Sequence, residues 1–210
     1  MNYSNKIVRW IIFIVGIILM SFGIAIVTQA GIGTSPISSL PLVSSYVTDY
    51  SFGETTFFIN VILVILQVLI LRKDFRWTIF LQIPLVYLFA IAIDISMSNT
   101  QFLTTDHLAL QIMINIFGII VMGLGIACEV WSNIMMLPGE GFVLAVALKS
   151  KKPFHKIKVI NDVTLVILAI LLSLVYFHGL KGIGLGTLIS AVLTGYSVHF
   201  WTLVIRKILK

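Results

Sequence analysis

Long apolar runs alternate with short polar breaks along this chain, and the runs come in two lengths. Six are long: Val8 to Thr28, Thr55 to Leu71, Trp77 to Met97, Leu110 to Trp131, Val159 to Phe177 and Gly182 to Val204. Each is near the roughly 20 residues that a helix needs to cross a hydrocarbon core of about 30 Å. Two are short: Pro36 to Val47, after the Gly-rich link Ala30 to Ser35, and Pro138 to Leu148, after the link Ser132 to Leu137. Both short pieces open on proline, a residue suited to the first helical turn. About 12 residues at about 1.5 Å rise cover about 18 Å, too little to cross.

The long and short runs recur in the same order. Sliding the chain by 102 positions, from Pro36 to Pro138, lays Gly118 to Met122 on Gly16 to Met20, Gly125 to Ala127 on Gly23 to Ala25, and Leu165 to Leu168 on Leu63 to Leu66. The glycines and the proline carry the match, because apolar segments share leucine and isoleucine by chance. Beyond about residue 173 the second copy is longer and matches only at a shifted offset. This predicts an internal duplication within one membrane domain, 1–210, with halves at about 7–97 and 109–205 joined by the polar stretch Ser96 to His107. Lys6 and Arg9 ahead of an apolar stretch resemble a signal peptide. The stretch is longer than a signal core and has a mid-chain copy, so it is expected to be a retained helix.

Composition agrees with the pattern. Of the residues 59% are hydrophobic and 10% charged, with a mean hydropathy of +1.10, against about 45–50% apolar in soluble domains. That excludes an ordinary water-soluble globule. The formal net charge of +6 is explained by loops rather than by a nucleic-acid partner, since the bases cluster between apolar runs. If the short pieces cross, ten of the fourteen Lys and Arg lie inside and four outside, whereas if they re-enter and return, thirteen lie inside and only Lys181 outside. The second arrangement obeys the positive-inside rule far better. Each half then has three spans, which makes the halves an inverted repeat, and such folds place a solute or ion site near the midplane between interrupted helices. Cys128 is the single cysteine, which excludes an intramolecular disulfide and suggests neither a redox pair nor a metal cage.

The stretch Gly31 to Pro41, then Ser51 to Gly53, Leu137 to Gly141, Asn161 to Val163 and Gly184 to Thr187 resembles the YczE/YyaS/YitT-like family of bacterial integral membrane proteins over nearly the whole chain. The resemblance implies the fold and a bacterial plasma-membrane location, and says little about activity; the charge count puts both termini in the cytoplasm. It also implies an acidic residue two places after each link proline; here the second half has Glu140 and the first Ser38.

Ionisable and polar residues inside apolar segments are costly and face a cavity or a partner. Glu140, in the first turn of the second short helix, either caps the helix dipole or binds a proton or cation. Asp162 and its first-half counterpart Asn60 flank a path, or Asp162 simply pairs with Lys158 one turn earlier. Gly31 and Gly33 permit backbone that no membrane helix needs. Ser35, Ser38, Gln29 and Asn133 line a polar pocket or satisfy link backbone. Glu129 and Asp94 approach helix ends, where headgroup contact is the expectation. The lysine-rich stretch Lys149 to Lys158 reads as a topology signal attracted to lipid, with His155 facing solvent.

No zinc-protease helix, Walker loop, nucleophile elbow or acyltransferase pattern occurs in the sequence, so no enzyme, cofactor or metal is expected. The expectation is an all-α polytopic membrane protein of six spanning helices and two short re-entrant half-helices, acting as a small-solute or ion transporter. Its site would draw on Gly31, Gly33, Ser35, Ser38, Asn60, Asn133, Glu140 and Asp162. The alternative is an accessory protein that stabilises another membrane complex. Expected partners are membrane lipid and a small solute or ion, not nucleic acid; self-association and a membrane partner stay open.

Overall fold

The computed structural model describes residues 6–208, and over them the chain is helical with no strand. The helices are α1 (Lys6–Gln29), α2 (Pro36–Val47), α3 (Phe52–Leu71), α4 (Gln82–Asn99), α5 (Leu108–Ser132), α6 (Pro138–Ser150), α7 (Phe154–Phe177) and α8 (Leu185–Ile208). Short 3₁₀ turns join α3 to α4 and follow α4. All but α2 and α6 belong to segments long and apolar enough to cross a membrane, six in all, and the chain is a multi-pass membrane protein. The terminal residues, on which the expected cytoplasmic placement of the two ends falls, lie outside the described ones.

Helix starts depart from the hydropathy pattern where polar side chains set them. α3 begins at Phe52 rather than Thr55 because Ser51 and Glu54 form a reciprocal capping box. α7 begins at Phe154, directly after Pro153, so Lys156 and Lys158 belong to its first turns and not to a loop. α8 begins at Leu185, three residues late, because Gly182 has φ +77°, and the chain before it bends across α2.

The central seam is α1 against α5, packed antiparallel. Arg9, near the start of α1, donates to the carbonyls of Ser132 and Asn133 at the end of α5, both at 2.6 Å. A cation there meets the negative end of the helix dipole. Further along, Gly16 lies on Gly125, Gly23 on Met122, and Val27 on Gly118. A Cβ on Gly16 would stand 2.9 Å from the Gly125 carbonyl oxygen, and one on Gly125 2.5 Å from the Met20 amide nitrogen. Small residues let the backbones approach closely where lipid supplies no hydrophobic drive to associate.

The other helices pair around this seam. α4 packs on α1 and α8 on α5; α2 packs on α7 and α3 on α6; α2 also touches α3, and α6 touches α7. One buried cluster runs through the interior, with Phe13, Ile17, Met20 and Ile24 of α1 against Val86, Phe89 and Ile93 of α4, Met122 of α5 and Leu137. The outer faces are apolar as well: Leu69, Val175 and Val192 are 61%, 69% and 61% exposed, the surface a bilayer covers.

The seam makes a direct prediction. Gly23→Val puts side-chain atoms into the backbone of Met122 and should cost roughly 1–3 kcal/mol, as overpacking does. Gly195→Ala on α8, where a Cβ meets nothing within 4 Å, should leave the melting temperature in detergent unchanged. Equal melting of the two variants would contradict the close-packed seam.

Candidate functional site

The short helices α2 and α6 both begin in the interior, and their first turns meet. Ile37 of α2 lies directly against Gly139 of α6. Beside this contact is a cavity of about 50 Å³ walled by Met20 and Ile24 of α1 and Met122 and Ile126 of α5, residues near the middles of those two helices. Its polar lining is Ser38, Thr56, Asn60 and Glu140.

The two links reach this point by different chemistry. The first is held by neutral groups. Gly31 and Gly33 have φ +76° and +119°, conformations that glycine adopts without steric cost, and Gly33 is pressed against Gly184 and Thr187 at the start of α8. The Ile32 carbonyl accepts from the Gly186 amide at 2.7 Å. Thr28 and Thr34 share a hydroxyl bond of 2.8 Å, and the Ser35 hydroxyl donates to that of Ser38 at 2.8 Å.

The second link is held by amides and a carboxylate. Glu129 is 3% exposed, and its Oε1 accepts from the Leu137 amide at 2.7 Å, the residue that caps α6. Gln82 donates to the Met136 carbonyl at 2.9 Å, and Gln67 donates to Gln82 Oε1 at 3.1 Å and to the Pro138 carbonyl at 3.3 Å. Buried backbone without such partners would be costly. Gly141 leaves room for both amides, since a Cβ would stand 2.7 Å from Gln67 Oε1 and 2.9 Å from Gln82 Nε2 and displace them.

On one side this second link faces a vestibule of about 470 Å³. Gln67, Gln82, Glu129 and Asn133 form its polar wall, Leu144, Leu148 and Met135 its apolar one, and Arg76 its rim. A groove continues past Arg76 to Asp74 and Lys149, which pair at 2.6 Å and so tie the α3–α4 turn to the end of α6. The matching surface of α2 is covered. Leu42, Val43 and Tyr46 lie under Gly182, and Lys181 stacks its ammonium 4.9 Å from the Tyr46 ring and 4.7 Å from that of Phe177. The covering turn is fastened by the Ser173 hydroxyl, which donates to the Gly179 carbonyl at 2.7 Å and accepts from the Lys181 amide at 2.8 Å.

Glu140 also joins a charged row. Lys158 lies 3.7 Å from Glu140 and 2.9 Å from Asp162, all three partly buried between α6 and α7. Charge-assisted contacts of this kind hold their partners in fixed geometry.

Of the residues singled out from the sequence, Ser38, Asn60 and Glu140 come together at the central cavity. Ser35 stands behind Ser38. Gly31 and Gly33 shape the first link away from the cavity, Asn133 lines the vestibule in a left-handed conformation (φ 46°), and Asp162 reaches Glu140 only through Lys158. Asn60 donates to the Thr56 carbonyl at 2.8 Å, and Gln29 to the Met97 carbonyl at 3.0 Å.

Two expectations need correction. Glu129 is buried and fastens the second link instead of facing headgroups, because α5 extends beyond it and α6 folds back across it. Asp94 clamps the start of α3, accepting from the Ser51 hydroxyl at 2.6 Å and the Gly53 amide at 2.7 Å. Gln67 and Gln82 went unnoticed in the sequence, although glutamine inside an apolar run is the same signal that singled out Glu140.

The model of a family described as "Family of unknown function (DUF6198)" matches residues 7–203. The chain is similar to the uncharacterized protein YyaS of Bacillus subtilis (strain 168), with 26% identity over 202 residues, 95% of this chain and 94% of that protein. No solved structure matches.

The glutamine pair provides a test of how the second link is held. Gln67→Leu or Gln82→Leu alone should cost about 1–3 kcal/mol by leaving a buried polar partner unmet. The double variant should cost less than the sum by roughly 0.5–3 kcal/mol. Strict additivity in a double-mutant cycle of thermal unfolding would remove the assigned coupling.

Proposed function

The chain belongs to DUF6198, a family of unknown function, and from the way its two links meet we propose that it is a small-solute or ion transporter. The observation that carries this reading is the meeting of the two half-helix starts, with Ile37 on Gly139, beside the ionisable Glu140 and between the middles of α1 and α5. Interrupted helices converging on a charged, deeply placed group are the arrangement by which membrane folds handle a solute or an ion. In this reading Ser38, Asn60 and Glu140 contact the solute or coupling ion, Lys158 and Asp162 hold Glu140 in place, and the chain has no catalytic role and no cofactor.

We read α2 and α6 as re-entrant and the halves as an inverted repeat. The antiparallel course of α1 against its counterpart α5 supports this, as does the exchange of partners between halves, α2 on α7 and α6 on α3. The Asp74–Lys149 pair adds independent support. If both short helices crossed, the α3–α4 turn and the end of α6 would lie on opposite faces, and the two side chains could not touch. We assign that face to the cytoplasm of a bacterial cell, since thirteen of the fourteen bases then share it. The vestibule opens on it while the turn at Lys181 closes the other side, which describes an inward-facing state. Likeness to YyaS agrees with the resemblance, and we extend it to the YczE and YitT proteins.

Two measurements test these assignments. Protein reconstituted in liposomes on a solid-supported membrane should give currents on jumps of proton, sodium or pooled small solutes, and Glu140→Gln should lower them about tenfold or more, the scale of one lost charge-assisted contact. Unchanged currents would remove Glu140 from the mechanism. No current at all, with a stoichiometric partner co-purifying from native membrane, would favour the accessory role. For topology, a cysteine at Lys73 in a Cys128→Ala background should react with an impermeant maleimide only from the cytoplasmic side, and one at Lys181 only from outside. Labelling of both from one side would overturn the re-entrant reading.

A further inference from the structure

Glu129 is asked to do two things, and the protein satisfies only one. Its Oε1 holds the Leu137 amide. Its Oε2 is buried and has no hydrogen-bond partner among the described residues, although the residue lines a vestibule of about 470 Å³. A buried carboxylate oxygen without a donor is expensive, and native structures leave few such atoms unexplained. The unmet oxygen and the cavity thus belong to one side chain, and an arriving solute with a donor could supply what the protein does not.

Resting on the transport reading, we infer that the vestibule binds a solute carrying a primary ammonium group on an aliphatic body, with the ammonium on Glu129 Oε2. An ammonium brings several donors, and the side-chain amides of Gln67 and Asn133 on the same wall supply neutral acceptors for those that Glu129 does not take. The remaining wall is Leu71, Ile79, Ile134, Met135, Leu144 and Leu148, which suits a hydrocarbon body. The volume lies within the range of small-molecule sites. A metal ion fits this wall less well, because hard cations take six or more oxygens and no group of three His, Cys, Asp or Glu stands together among the described residues. The charges that act on Glu129 from within the protein are Glu140 and Lys158, and on the vestibule side stand Arg76 on the rim and the Asp74–Lys149 pair beyond it. The pair is mutually neutralised and Arg76 is exposed to solvent, where water and salt screen it.

The test is thermal unfolding of the purified full chain in detergent with three probes of one carbon skeleton class: isopentylamine, isopentanol and 4-methylpentanoate. They are titrated to about 50 mM, the range expected for ligands of so few atoms. The amine should raise the melting temperature, and the alcohol and acid should not. Glu129→Gln keeps an oxygen for the Leu137 amide, and should weaken the amine roughly tenfold to hundredfold. Leu148→Trp, at a 64% exposed position on the vestibule wall, should weaken it without touching Glu129. An amine shift that is absent in the wild type, or equal in wild type and Glu129→Gln, would overturn the inference, as would a larger shift with the acid or alcohol. Amine binding without amine-dependent current in liposomes upholds the site and counts against transport. Current without amine binding does the reverse.

Discussion

The close antiparallel crossing of α1 and α5 sets the frame for every other contact in this protein. Each helix carries two glycines seven residues apart, Gly16 and Gly23 on one, Gly118 and Gly125 on the other, and each glycine lies on the opposite backbone. In lipid, apolar side chains gain nothing by leaving one apolar medium for another, so association rests on the quality of van der Waals packing. Removing Cβ atoms on both sides brings two backbones into contact along their length. The crossing leaves flanks on which α4 and α8 pack, and beside it the short helices α2 and α6 begin.

A link that runs through the interior carries backbone amides and carbonyls that need partners there. The two links are held differently. The first link uses glycines, hydroxyl pairs and the backbone at the start of α8, giving a neutral, densely filled wall. The second uses Glu129, Gln67 and Gln82. Long side chains hold backbone at a distance, and the space they keep open is the vestibule. The same structural need therefore yields a closed wall on one side and a polar, accessible one on the other.

Much of this can be read from the residues in order. Run length separates α2 and α6 from the six longer segments, and proline marks both of their starts. What escapes is anything decided by distant packing. Glu129 stands three residues before the end of α5, a place that reads as an interface; only the return of the chain across it, through Leu137, shows that it is buried. Asp94 reads the same way until the start of α3 is laid against it. The pairing of Lys158 with Asp162 one turn on is legible in the spacing, whereas its approach to Glu140 on α6 shows only once α7 is laid against α6. Hydropathy sees each residue's own preference, whereas these three are placed by partners far away in sequence.

Under the proposed transport reading, the departures from symmetry say more about mechanism than the symmetry itself. Two equal halves would open or close both ends of the path together. Here Gly141, Ala145 and Leu148 on α6 line the vestibule, while their counterparts at an offset of 102, Ser39, Val43 and Tyr46, are buried or lie beneath the turn through Lys181. That turn is held by one serine side chain, two hydrogen bonds and two cation–π contacts, the last worth about 0.5–1 kcal/mol each at exposed positions. Such a closure is weak enough to release without disturbing the glycine seam. The opposite end is tied by an exposed ion pair, Asp74 to Lys149, of similarly small value. With two light fastenings at the ends and a rigid crossing between them, the fold concentrates its possible movement where a solute would enter and leave.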